Sequence, residues 1–398
     1  MSKRRALPAP PAVARLWRLD RRTVYLNHGA FGACPRPVLH AQQRLRDELE
    51  RDPLHFMRRA LEPSLDAARE ALGRFVGASP ASLAFVANAT AGVNTVLRSL
   101  TLRRGDELLV TDHGYAAATN AVRFAAERAG AKVVTARVPF PLAGEDEVVD
   151  AVLAAATPRT RLAVLDHVTS PTALVFPIAR LVRELAARGV DTLVDGAHAP
   201  GLLPLAVEAI GAGWYVGNCH KWLCAPKAVA FLHAREDKRA ATRPLVISHG
   251  AASPRTDRSR FHLEFDWQGT TDPTPALAIP EAIAFLEGLA PGGFPELAEA
   301  NRLLALAARD VLCTALGVTP PAPDAMLPAM AAVPLPPGDA PGLSDALYAR
   351  HRIEVPIVAW PAAPARLLRI SAQTYNSLAQ YRYLAEALTD ELARGVGP

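Results

Sequence analysis

The chain has 398 residues, half of them apolar, and a formal net charge of +5. That length exceeds one ordinary core and suits two domains with a cleft between them. The apolar fraction excludes a disordered chain, and no window approaches the roughly 18 uninterrupted apolar residues of a membrane span.

The first residues, Met1 to Arg22, carry Arg and Pro without an apolar core, so no secretory signal is expected. Four cysteines (Cys34, Cys219, Cys224, Cys313) stand singly with no C-x-x-C pair. This argues against a disulfide framework or a metal site and points to a reducing cytoplasm. The arginines are spread along the chain and mostly followed by acids, as from Arg44 to Glu50, which reads as a solvated surface rather than a nucleic-acid interface.

In chain order, Leu61–Val76 has helical periodicity and Ser82–Val86 reads as a strand, followed by a helix from Thr90 to about Leu102. Glu107–Thr111 (strand), Ala116–Ala129 (helix) and Lys132–Ala136 (strand) continue the rhythm. Arg161–Asp166, Asp191–Val194 and Ala228–His233 are further strands, separated by a helix at Ala179–Arg188 and by an irregular stretch. A βαβα alternation predicts an α/β fold with a mostly parallel sheet covered by helices on both faces. Ser248 to Pro275 shows no periodicity. Helices at Ala276–Leu289 and Phe294–Leu316 then lead into a smaller α+β segment. Its expected strands are Ala329–Val333, Glu354–Val358 and Leu367–Ser371, closed by a helix near Leu378–Arg394. The expected organisation is a large domain over residues 36–290 and a small C-terminal domain over 291–398, joined by an N-terminal arm, residues 1–35.

Ligands of such sheets gather outside the carboxyl ends of the strands, where Asn88–Thr90, Asp112–Tyr115, His167–Thr172 and Asp195–His198 fall. A lone Asp after a strand is more often a helix cap, and a lone Lys is usually solvated. Asp195 followed by Lys221 in Gly-Asn-Cys-His-Lys-Trp, with polar loops after each strand, meets a more specific need. Pyridoxal phosphate requires an amine for an imine, a carboxylate for its pyridine nitrogen and a phosphate cradle. Asn88-Ala-Thr-Ala-Gly-Val-Asn94 places short side chains and backbone N–H groups at a helix start, which favours a dianion. An ordinary Thr or Asn cap is the competing reading.

Several segments in order resemble the fold-type I, class V aminotransferase-like family, within it the isopenicillin N epimerase-like group. They are Tyr25-Leu-Asn-His-Gly-Ala-Phe-Gly32, Asn88-Ala-Thr90, His167-Val-Thr-Ser-Pro-Thr172, Asp195-Gly-Ala-His198, Gly217-Asn-Cys-His-Lys-Trp222, Trp267-Gln-Gly-Thr-Thr-Asp272 and Arg369-Ile-Ser-Ala-Gln-Thr-Tyr-Asn376. The resemblance covers nearly the whole chain.

It implies a role for each position. Lys221 would be the imine lysine and the base at Cα, and Asp195 the partner of the pyridine N–H. His198 and Thr169 would belong to the cofactor loops, with His198 on the phenolic oxygen. Tyr115 would stack on the ring, with His113 as a rival. Thr90, the Ala89 and Ala91 backbone and His220 would hold the phosphate. Thr270 would reach the phosphate of a neighbouring subunit, which implies a homodimer with shared sites. Arg369 would clamp the substrate carboxylate as a planar fork. Asn27 and His28 would approach the substrate, or form a buried turn.

Cysteine desulfurases of this branch carry a nucleophilic Cys shortly before the carboxylate-binding Arg. The corresponding stretch, His351 to Trp360, has none, and Cys219 and Cys224 read as packing residues. Persulfide chemistry is thereby disfavoured. The expected function is Cα–H chemistry on an amino-acid-type small molecule, foremost racemisation or epimerisation. C–S β-elimination and transamination stay open, and a retired scaffold is disfavoured because the Lys, Asp and Arg positions are filled.

Overall fold

The computed structural model describes residues 7–395, so the ends of the expected N-terminal arm and C-terminal domain, residues 1–6 and 396–398, lie outside it. Twelve strands run in chain order among these residues. They are β1 (Val24–Tyr25), β2 (Leu83–Val86), β3 (Glu107–Thr111), β4 (Lys132–Ala136), β5 (Thr160–Asp166), β6 (Asp191–Asp195), β7 (Trp214–Asn218), β8 (Ala230–Ala234), β9 (Met330–Leu335), β10 (Ile353–Glu354), β11 (Ile357–Ala359) and β12 (Arg366–Ser371).

Seven of them form one sheet in the order β2-β8-β7-β6-β5-β3-β4. The ladders from β7 through β6, β5 and β3 to β4 are all parallel, and only β8 runs against its neighbours. The expected α/β class and mostly parallel sheet are therefore correct. Burial on both faces follows from period-2 alternation. Leu108, Val110, Leu162 and Val164 join one apolar cluster with the helices Ala89–Ser99 and Ala116–Ala129, while Leu109, Ala163 and Leu165 join another on the opposite face.

Three departures from expectation have physical reasons. The irregular stretch contains β7, whose five residues are all buried between β6 and β8. Its Gly217 and Asn218 dilute the β-branched signal, and pairing on both edges overrides that local weakness. Glu354–Val358 divides at Pro356. Ile353–Glu354 pairs in parallel with Val24–Tyr25, while Ile357–Ala359 joins the antiparallel β11-β12-β9 sheet. The unpatterned Ser248–Pro275 stretch holds a helix at Arg260–Phe265, started by Ser259 Oγ accepting from the His262 amide. Helices at Arg36–Arg51, Glu145–Ala155 and Ala340–His351 also form where no element had been expected. Among the described residues no helix is long and apolar enough to cross a membrane.

Candidate active site

The carboxyl ends of β5, β6 and β7 converge on Lys221. The Lys221 Nζ lies 3.2 Å from His198 Nε2. Burial presses its pKa down to about 8, against the opposing attraction of the Asp195 carboxylate. Asp195 ends β6, is buried, and accepts the Ala197 amide at 3.0 Å. Burial raises its pKa, while that amide and the Lys221 charge pull the other way. His198 is held neutral, first by burial and then by the positive charges of Lys221 and Arg369. Its Nδ1 is buried without a hydrogen-bond partner among the described residues, an orphaned polar atom that a polar ligand atom would satisfy.

Arg369, on β12, reaches across to the loop after β5. Its Nη1 donates to the Ser170 carbonyl at 2.7 Å and to Ser170 Oγ at 3.1 Å, and its buried Nε has no partner. Burial lowers its pKa to about 10, with the charge still in place at neutral pH. A guanidinium bonded to a carbonyl and a hydroxyl, with no acid in contact, suits an incoming carboxylate.

Tyr115 is 44% exposed, and its amide donates to Asp166 Oδ1 at 3.3 Å. Its rival His113 is fully buried, with Nδ1 on Thr172 Oγ1 and Nε2 on the Val138 carbonyl, and its ring lies against Trp360. The open ring in this loop is therefore that of Tyr115.

At the expected phosphate cradle, the Ala89 amide donates to Asn218 Oδ1 and the Ala91 amide to Asn88 Oδ1, each at 2.8 Å. Those two amides already serve the fold, which leaves the Thr90 amide and hydroxyl to face an anion. His220 donates from Nδ1 to the Val229 carbonyl, which leaves Nε2 as its uncommitted ring nitrogen. The Thr169 hydroxyl bonds Thr172 Oγ1 and accepts the Leu174 amide, so it is committed to its own turn.

The N-terminal segment packs directly on the lysine loop. Gly32 has φ +67°, and a Cβ there would stand 2.3 Å from the His220 carbonyl oxygen and 2.8 Å from Lys221 Cα. Only glycine tolerates both the backbone and the approach. His28 is enclosed, with Nδ1 on the Tyr375 hydroxyl, its ring 4.9 Å from Trp222, and its pKa pressed to about 3 by burial. It forms a buried turn beneath the lysine loop. Asn27 is buried beside it, with Oδ1 unpartnered. Thr270 is exposed, and among the described residues no hydrogen bond joins it to the Lys221 cluster.

Backbone strain collects in the same place. Of four non-glycine residues with positive φ among those described, Ala173 lies in the loop after β5, and Cys224 and Ala228 lie in the loop that follows the lysine. Each such conformation costs on the order of 1 kcal/mol or more and persists where surrounding structure demands it. Cys219 and Cys224 are buried, with thiols pushed up by burial, which disfavours a nucleophilic role for either.

Sequence reasoning missed Asp166. It closes β5 in direct register with Asp195. The available signal was the parallel between Leu-Asp-His and Val-Asp-Gly, two strands each ending on an acid.

A buried low-pKa amine, a carboxylate at the next strand end, an unpartnered imidazole nitrogen and a hydroxyl at a helix start together fit pyridoxal phosphate. On this fold they define a fold-type I pyridoxal-phosphate enzyme. The aminotransferase class-V profile matches residues 24–355, and the chain belongs to that family.

The isopenicillin N epimerase of Amycolatopsis lactamdurans is 41% identical over 387 residues, covering 94% of this chain and 96% of that protein. Putative L-cysteine desulfhydrase 2 of Oryza sativa subsp. japonica is 32% identical, covering 94% and 86%. Among solved structures, the cysteine desulfurase CsdA of Escherichia coli superposes with a TM-score of 0.78 at 22% identity, covering 96% of this chain and 97% of that one, which bears out the fold.

Proposed function

We propose that the protein epimerises or racemises an amino-acid-type substrate at Cα. The observation that carries this reading is Lys221, a buried amine with a pKa near 8 on which the charges of Asp195 and of the half-satisfied Arg369 guanidinium both act. Bound pyridoxal phosphate supplies an electron-withdrawing ring that acidifies the substrate's Cα–H.

The chain's own residues supply the rest. Arg369 holds the α-carboxylate and fixes which Cα bond faces the lysine. Lys221 Nζ, neutral over much of the range near pH 8, would accept the Cα proton from its own face, and inversion requires a second acid that delivers a proton to the opposite face. His198 Nε2 keeps Nζ in place, and its free Nδ1 offers a polar contact to the cofactor. Asp195 would keep the ring nitrogen protonated, Tyr115 would cover the ring, and Thr90 with His220 would hold the phosphate. Asn27 Oδ1 lines the substrate side. The 41% identity to an isopenicillin N epimerase supports inversion as the outcome.

A second reading, C–S β-elimination, is favoured by the desulfhydrase relative and by the absence of cysteine from the β10–β11 segment. Proton NMR in deuterium oxide separates the two. Epimerisation exchanges and inverts the α-position, whereas elimination releases pyruvate and ammonia. A substrate whose product keeps its original α-proton overturns both.

We further propose a cytoplasmic homodimer in which Thr270 reaches the partner's phosphate site, and a small unit made of the arm to residue 35 with residues 291–398 beside residues 36–290. The β1–β10 pairing and the edge contact of Trp17 with Tyr375 support that grouping.

A further inference from the structure

Asp166 and Asp195 are direct partners in the β5–β6 ladder. Paired residues of a parallel ladder send their side chains to the same face, with strands about 4.8 Å apart. Both carboxylates are buried, at 6% and 4% exposure. Their hydrogen-bond partners are backbone amides, Tyr115 for Asp166 and Ala197 for Asp195. The charged groups facing Asp166 are Asp195 from β6 and Lys221 from the loop after β7, and Lys221 acts on both acids only through space. Two buried carboxylates at paired register positions oppose each other's ionisation, which favours one of them keeping its proton.

The next question is which acid keeps the proton. Burial, and then the Asp195 charge, push Asp166 well above the usual carboxylate range. Asp166 also has a task that needs no charge. Its Oδ1 holds the amide of Tyr115, and its Oδ2 lies 3.5 Å from where a Cβ on Gly114 would stand. It therefore forms the floor of the loop that presents the Tyr115 ring.

We propose that Asp166 is a positioning residue of the cofactor site that acts as a neutral carboxylic acid. It anchors the Tyr115 loop and, by staying uncharged, leaves Asp195 as the single carboxylate for the cofactor's ring nitrogen. This inference rests on the pyridoxal-phosphate reading of Lys221 and adds a second acid with a different protonation state.

Asparagine copies a protonated aspartic acid, because it keeps the Oδ1 acceptor and places a donor where the hydroxyl stood. Asp166→Asn should therefore bind pyridoxal phosphate within about threefold of the parent. Asp166→Ala, which strips the acceptor from the Tyr115 amide, should lose about tenfold or more in affinity. The infrared difference spectrum of holoenzyme, parent minus Asp166→Asn, should show the C=O stretch of a protonated carboxyl at neutral pH. In Asp195→Asn that band should vanish at lower pH than in the parent, because the neighbouring negative charge is gone.

Absence of the band, or an Asp166→Asn variant that loses as much affinity as Asp166→Ala, overturns the proposal and makes Asp166 a working anion. Should Asp166→Ala fail to fold, the infrared band and the Asn variant still decide. Failure of the underlying reading looks different. Borohydride-reduced protein would then lack a pyridoxyl group on Lys221, while the carboxyl band, read on protein without cofactor, would be unaffected.

Discussion

Two regions bury charge in opposite ways. On the helix Leu61–Val76, Arg69 bonds Asp66 and, beyond the helix, Asp266, and Arg258 clamps the same two carboxylates. Each acid there has guanidinium partners, and the desolvation cost of Arg69, with 2% of its side chain exposed, is offset on the spot. At the carboxyl ends of β5 to β7 the buried groups lack such partners. Among the described residues, Lys221 meets a neutral imidazole, two acids stand without a contacting cation, and Arg369 has no acid in contact. A fold can hold charge for its own stability by compensating it, or for a ligand by leaving it uncompensated. Perturbed, half-satisfied groups in a cleft are the second kind.

The largest effect that tests this contrast is on Lys221. Lys221→Ala should lower turnover on the order of 10,000-fold while the protein stays folded, since a positioned base contributes up to about that factor. Subunit exchange with Thr270→Ala protein should restore part of the activity, because one site of the mixed dimer then carries neither change. Full activity in Lys221→Ala, or no recovery despite verified exchange, would count against the lysine or the shared site respectively.

In the compensated region the prediction reverses. Asp266→Asn should cost about 3–5 kcal/mol of stability by stranding buried guanidinium charge, seen as a lower urea midpoint at unchanged slope. Turnover per folded molecule should stay near the parent value, and an activity loss without a stability loss would erase the distinction.

A smaller effect is expected at Arg369. Arg369→Leu should raise KM about 10- to 100-fold, the worth of charge-assisted hydrogen bonds to a carboxylate. The cofactor's visible band should persist; its disappearance would move Arg369 from substrate to scaffold.

The smallest concerns pH. Lys221 is depressed from 10.5 to about 8, so the unfolded chain binds its proton more tightly than the folded protein without cofactor. Stability should therefore rise with pH between about 8 and 10.5, the reverse of a lysine that gains an acid partner. Cofactor capture by that protein, which needs the free amine, should have its midpoint near pH 8. A midpoint close to 10.5 would mean that Lys221 is not desolvated.

How much of this was legible depends on whether the deciding contacts are local. Glu107–Thr111, Ala116–Ala129 and Lys132–Ala136 were readable to the residue, because apolar period and β-branched content act within a few positions. Asp195 and Lys221 stood out because the cofactor needs a carboxylate for its ring nitrogen and an amine for an imine, and Arg369 because the resemblance to the class V family points to it. The strand Trp214–Asn218 was hidden, since its neighbours β6 and β8 make it a strand and its own composition does not. The helix Arg36–Arg51 was passed over because charged residues dominate it, although Val38 and Ala41 are buried and Leu45 and Leu49 pack on the core at helical spacing.

The sequence by itself determined the fold class, the family and the chemical groups available, because these follow from local pattern and residue type. Only the tertiary structure decided which of those groups are free to act. It gave the Ala89 amide to Asn218, a residue 129 positions away, and closed His28 behind Tyr375 and Trp222. It also set Asp166 beside Asp195 through the register of β5 on β6. Such assignments depend on burial and on partners distant in the chain, and those come into being only when the strands pair.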